Sequence, residues 1–150
     1  MKKKVYIYIM LILSTVFVIW YFYGNRISIG RAIKKRRQGM EGNYSKVIID
    51  KTSSGDVVLI TEDDKIVDKI MNYIIPFTVE VSDENILLGE DTYTMNFYGD
   101  SLDDGMTITI NNGNLVEIYT IYKNKTEIKT YKIIGNVLRI NDILEKAKSS

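Results

Sequence analysis

The chain has 150 residues, with 20 basic and 19 acidic side chains, one proline, no cysteine and no histidine. A length near 150 suits one domain, and the missing Cys and His exclude thiol nucleophiles, disulfides, imidazole bases and zinc sites of the usual kinds. The formal charge of +1 conceals a division: residues 1–43 carry nine basic groups and one acid (+8), whereas residues 44–150 carry 11 basic and 18 acidic groups (−7).

Residues 5–23 (VYIYIMLILSTVFVIWYFY) hold no charge. Nineteen residues at helical rise measure about 28 Å, close to the thickness of a bilayer core. Only a helix satisfies its own backbone in lipid, and Tyr6 and Tyr8 at one end with Trp20, Tyr21 and Tyr23 at the other match interfacial aromatic belts. Residues 1–24 are therefore expected to be a single-pass transmembrane anchor. A cleaved signal peptide fits less well, because the apolar run is too long and ends in bulky side chains where a small-residue cleavage site belongs. Without Cys, no lipid-modified cysteine can replace the span. Orientation stays open. Six basic residues after the span against three lysines before it place the domain in the cytoplasm under the positive-inside rule. A short lysine cluster followed by a long apolar run is the habitual start of exported bacterial proteins, and the expectation leans to an extracytoplasmic domain at the cell membrane.

Residues 25–43 read as a basic juxtamembrane linker. Ile27, Ile29, Ile33 and Met40 are poorly spaced for a helix, and Gly30 and Gly39 weaken one further. Arg31, Lys34, Lys35, Arg36 and Arg37 are candidate contacts for anionic headgroups. A stop-transfer cluster explains the same charges. A nucleic-acid arm is disfavoured, since the acidic domain downstream would repel phosphate.

Residues 44–150 read as an acidic α+β domain. Segments 44–50 and 56–61 form a hairpin around the KTSSG turn. Over 62–74 the apolar positions Ile66, Val67, Ile70, Met71 and Ile74 recur on one helical face, with Thr61 as the cap, Asp64 returning the bond, and Pro76 beyond the end. Alternation in 77–81 predicts a strand, and 82–91 a loop. Segments 92–98, 106–110, 115–122 and 127–134, joined by polar turns that include Asn112-Gly113, predict a four-stranded antiparallel meander. Residues 140–147 close the chain as a helix, with Asn141 as the cap. The expected fold is a mostly antiparallel sheet of six to seven strands, packed on one face by one or two helices.

Chemistry-bearing patterns are few. Asp100, Asp103, Asp104 and Gly105 resemble a calcium loop, but Leu102 and Asn111 occupy ligand positions, so no metal or cofactor is expected. No phosphate-binding glycine loop is present, and the serines lack a His base. In the loop 82–91, Asp83, Glu84, Glu90 and Asp91 flank Ile86, Leu87 and Leu88, which makes a candidate partner-binding loop; capping of the core by the apolar triplet is the alternative. Tyr93, Tyr98, Tyr119, Tyr122 and Tyr131 lie on strands and offer a peptide- or glycan-binding surface wherever they share the open face.

The span 5–23, the segment SSGDVVLITEDDKIVDKIMNYI (53–74) and the segment YKIIGNVLRINDIL (131–144) together resemble small membrane-anchored or exported α+β domains of low-GC Gram-positive bacteria, a group of unknown function. Related lineages often carry a lipid-modified cysteine where this chain has a span. The resemblance implies no catalytic residues. The expected function is a non-catalytic binding or accessory domain, immunity-like or a subunit of a membrane complex. Its expected partners are the lipid bilayer and a protein or cationic peptide, not nucleic acid. A small carboxylate-dependent hydrolase is the alternative.

Overall fold

The computed structural model describes residues 2–36, 44–89, 91–99, 104–111, 114–122 and 125–149, excepting the side chains of 2–5, 22, 23, 36 and 122. In chain order the elements are α1 (Lys2–Gly24), β1 (Arg26–Ser28), α2 (Ile29–Arg36), β2 (Tyr44–Lys51), β3 (Asp56–Thr61), α3 (Asp64–Ile74), β4 (Thr78–Val81), β5 (Thr92–Gly99), β6 (Asp104–Asn111), β7 (Leu115–Tyr122), β8 (Lys125–Ile133) and α4 (Ile140–Lys148). The eight strands form one sheet in the order β1-β4-β8-β7-β6-β5-β2-β3, and every neighbouring pair is antiparallel.

Alternation decides which face is buried. Val47 and Ile49 of β2, Met95 and Phe97 of β5, Met106, Ile108 and Ile110 of β6, and Val116 and Ile118 of β7 point to one side. There they meet Val67, Ile70 and Ile74 of α3 and Ile140, Ile143 and Ala147 of α4 in a single cluster. The expected hairpin, meander and closing helix are all present.

The segment expected to be a linker is different. Arg26–Ser28 pairs with β4 at the sheet edge, Ile27 opposite Val79, and supplies the eighth strand. Ile29, Ala32 and Ile33 of α2 are buried, all in the same core. Two backbone bonds, from the Ile29 N–H to the Phe77 carbonyl (2.9 Å) and from the Gly30 N–H to the Ile75 carbonyl (3.0 Å), tie the start of α2 to the α3–β4 connection. The Ser28 hydroxyl accepts from the Arg31 N–H at 3.1 Å and caps the helix. Gly30 is needed for close approach: a Cβ there would stand 3.1 Å from Ile75 Cβ. The helical spacing of Ile29, Ala32 and Ile33 is i, i+3, i+4, an apolar stripe that counting only Ile27, Ile29, Ile33 and Met40 obscures.

Capping also differs from expectation. Thr61 is the last paired residue of β3, opposite Val47, so it cannot also begin α3. Asp63 takes that place and accepts from the Lys65 N–H at 2.9 Å. At α4, Arg139 occupies the N-cap position without a side-chain bond, and Asn141 lies inside the helix. The outermost strand β3 carries a bulge: Ile49 faces Leu59 and Asp50 faces Val57, leaving Val58 unmatched. A bulged edge resists pairing with another chain, although Val57, Val58 and Ile60 are exposed.

α1 stands apart from the core. All 16 of its described side chains, from Tyr6 to Tyr21, are exposed. Among the described residues no helix is long and apolar enough to cross a membrane. The span expected over 5–23 is therefore not established by the fold alone.

Candidate binding surfaces

Three surfaces gather the residues singled out by the sequence. The first is the loop between β4 and β5. Its departure continues the sheet through the Ser82 N–H bonded to the Thr130 carbonyl (3.0 Å). Its return is pinned by Thr92, whose hydroxyl donates to the Leu87 carbonyl (3.3 Å) and accepts from the Gly89 N–H (3.0 Å). Between these ties Ile86 is half-buried, but Leu87 and Leu88 are 82% and 72% exposed. Capping of the core by the whole triplet is thereby excluded, and two adjacent leucines face solvent. Asp83 and Glu84 stand 4.0 and 3.9 Å from Lys129 and Lys132, distances at which exposed pairs contribute little. Asp91 is exposed; Glu90 lies outside the described residues.

The second surface is the open face of the sheet. A polar series crosses it, with the Thr107 hydroxyl donating to Asn96 Oδ1 (2.9 Å) and Asn96 Nδ2 donating to Asp50 Oδ2 (3.2 Å). Beside this series is a cleft of about 390 Å³, lined by Tyr98, Gly105, Thr107, Tyr119 and Ile121 among others. Gly105 is its floor: a Cβ there would meet only the Phe97 carbonyl oxygen, at 3.5 Å. Of the five strand tyrosines, Tyr98 and Tyr119 line this cleft. Tyr93 packs against the core and Tyr131 is buried in it, and the Tyr122 side chain is not described. A second cleft, of about 340 Å³, lies between the 82–85 segment and Glu117, Ile128, Lys129 and Thr130. It brings Asp83, Glu84 and Glu117 to one place, which sequence spacing did not show because Glu117 sits on a distant strand.

The third surface is α2. Its apolar side faces the core, leaving Arg31, Lys34 and Lys35 exposed. Arg36 ends the helix with its side chain undescribed, and Arg37 lies outside the described residues, as do Asp100 and Asp103 of the aspartate-rich turn. No group of three or more acidic side chains able to hold a metal occurs among the described residues.

Two polar contacts tie elements to each other. Lys46 Nζ donates to Glu62 Oε1 at 2.7 Å, and this bond with the lysine charge holds the Glu62 carboxyl below its ordinary range. Burial, with the Asp142 and Glu145 carboxylates, pushes the Tyr73 phenol above its ordinary value; the Tyr73 hydroxyl donates to Asp142 Oδ2 at 3.4 Å.

No protein-family model, curated protein or solved structure matches this chain.

Proposed function

We propose that this chain is a single-pass membrane protein whose α+β domain acts by binding a protein partner, as an accessory subunit or as an immunity-like interceptor of a cationic protein or peptide. The pair Leu87–Leu88 carries this reading. Two adjacent leucines this exposed are uncommon on a surface with no use for them, and burying each in a groove is worth about 1.5–3 kcal/mol. Asp83, Glu84 and Asp91 around them favour a partner whose apolar groove is rimmed by Lys or Arg.

Membrane attachment is supported by α1 itself. Its 23 residues extend about 34 Å at helical rise. Lys2–Lys4 and Arg26 bracket an uncharged stretch of 21 residues, and each described side chain from Tyr6 to Tyr21 is exposed, an arrangement that water would not favour. We place the domain on the extracytoplasmic side.

Photo-crosslinkers at Leu87 and Leu88, in membranes of cells making the full chain, test the reading. The expected result is one defined adduct, absent from a crosslinker at Lys148 and lost from the Leu87 position when Leu88→Asp is added. Equal, diffuse adducts from both places would overturn it. The cleft holding Asp83, Glu84 and Glu117 favours a second reading, a small carboxylate-dependent hydrolase. That chemistry requires one carboxyl desolvated into an acid role, and the Asp83 side chain is fully solvated.

A further inference from the structure

We propose that the glycine-floored cleft on the open face of the sheet is a socket for an arginine side chain of a cationic partner. This rests on the reading of the domain as a binder of such a partner. The cleft spans three adjacent strands. Tyr98 of β5 stands opposite Gly105 of β6, which stands opposite Ile121 of β7; in the next row on that face Asn96, Thr107 and Tyr119 stand side by side. Neighbouring strands lie about 4.8 Å apart, so Tyr98 and Tyr119 rise from strands about 10 Å apart, on either side of a position without a side chain. A planar group can enter there and approach the backbone of β6.

The direction of the polar series fixes what the cleft offers. The Asp50 carboxylate only accepts hydrogen bonds, so the Asn96 amide turns its nitrogen toward Asp50 (3.2 Å) and its oxygen toward Thr107 (2.9 Å). The Thr107 hydroxyl thereby commits its only hydrogen to Asn96. It has lone pairs alone to offer a ligand, and a chain of bonds that ends on a carboxylate strengthens them as acceptors. A ligand held here must donate, which disfavours phosphates and carboxylates.

Charge complementarity narrows the donor to a cation. Residues 44–150 carry −7, and among the described residues Asp104 is the one charged member of the cleft lining. Lys46, in register beside Tyr98, is turned to Glu62 at 2.7 Å. Tyrosine rings attract cations over their faces. A guanidinium, flat and bearing five N–H donors, stacks on such rings while donating at its edge, whereas an ammonium has the charge without the shape. The floor is not demanded by the backbone: Gly105 has no positive φ, and a Cβ would meet only the Phe97 carbonyl oxygen at an ordinary 3.5 Å. A glycine inside a strand weakens it and often marks a close approach by a ligand. The six residues of β5 from Thr92 to Tyr98 measure about 20 Å, so one partner can reach both this cleft and the loop 82–91.

Titration of the isotope-labelled full chain in detergent micelles, followed by NMR, tests this. The probes are three acetylated and amidated tripeptides, Gly-Xaa-Gly, in which Xaa is arginine, lysine or citrulline, the neutral isostere of arginine. The Gly105 and Thr107 amide signals are expected to shift and saturate with the arginine peptide, with lysine binding severalfold weaker and citrulline weakest. Gly105→Val fills the floor and should abolish these shifts while the signals of buried Ile70 and Ile118 stay in place. Should that variant misfold, Thr107→Val, which removes the acceptor, should weaken arginine binding severalfold. Equal binding of arginine and citrulline, or arginine binding undiminished in both variants, overturns the socket. Shifts at the same amides from cellobiose, with none from arginine, assign the cleft to a glycan and also overturn it. No arginine shift, with the Leu87 adduct still formed in cells, overturns the socket and leaves the partner reading standing. Arginine shifts without a Leu87 adduct support the socket and remove the loop as the partner's anchor.

Discussion

If the basic segment belongs to the fold, truncating Ile29 must unfold more than a linker. Its side chain is fully buried, and Ile29→Ala removes three carbon groups. At about 0.8 kcal/mol each, transfer alone costs about 2.4 kcal/mol. Incomplete collapse of the hole places buried Ile→Ala changes in the range of about 2–5 kcal/mol. The loss expected here is about 3 kcal/mol, because α2 is held at its first turn by backbone bonds to Phe77 and Ile75 and cannot follow the missing atoms inward. Domains are stable by about 5–15 kcal/mol, so this is a substantial fraction. The assay is reversible urea unfolding of the full chain in detergent, followed by circular dichroism, with Lys34→Ala as the comparison. That exposed position should change stability by less than about 0.5 kcal/mol. If Ile29→Ala proves as mild as Lys34→Ala, α2 is not part of the core, and the reassignment of residues 26–36 from linker to domain fails.

Other outcomes follow from single sites. Gly30→Val should destabilise by about 1–3 kcal/mol, read by the same unfolding assay, because its Cβ would crowd Ile75. The raised Tyr73 phenol means that the folded state favours the protonated form. Its contribution is complete below about pH 10 and is lost as pH rises through the folded value. Urea midpoints of wild type should therefore fall more steeply than those of Tyr73→Phe above that pH, and parallel curves would contradict the linkage. Leu88→Asp should leave stability within about 0.5 kcal/mol, since that side chain is exposed, while abolishing the adduct of a crosslinker at position 87. Ser150→Cys gives a unique thiol in a chain without cysteine; labelling by an impermeant reagent in intact cells is expected, and protection until lysis would place the domain in the cytoplasm.

The core strands were readable because alternation is a local property. Met95 and Phe97, or Ile108 and Ile110, announce their face within a few residues. The helix at 64–74 was readable for the same reason, with its cap displaced because Thr61 was committed to a strand partner, Val47, remote in sequence. β1 was not readable. Arg26–Ser28 is three residues long, and its strand character comes wholly from β4. α2 was hidden behind its own charge: Arg31, Lys34 and Lys35 dominate the composition, whereas Ala32, small and uncounted, completes the buried stripe. The loop 82–91 could be nominated from its acids and leucines, but the exposure of Leu87 against the half-burial of Ile86 depends on where Thr92 pins the return. The Gly105 cleft left no signal in the chain, since a glycine on a strand shows its vacancy only once Tyr98, Thr107 and Tyr119 surround it.

Asn25 alone separates α1 from β1. A single residue between a 23-residue helix and a hydrogen-bonded strand leaves little slack to absorb rotation. The azimuth of the sheet is therefore geared to the phase of α1. Each residue inserted into or deleted from that helix turns its end by about 100° and shifts it by 1.5 Å. Which neighbour the loop 82–91 confronts in the plane of a membrane is then set by the length of α1 as much as by its own leucines.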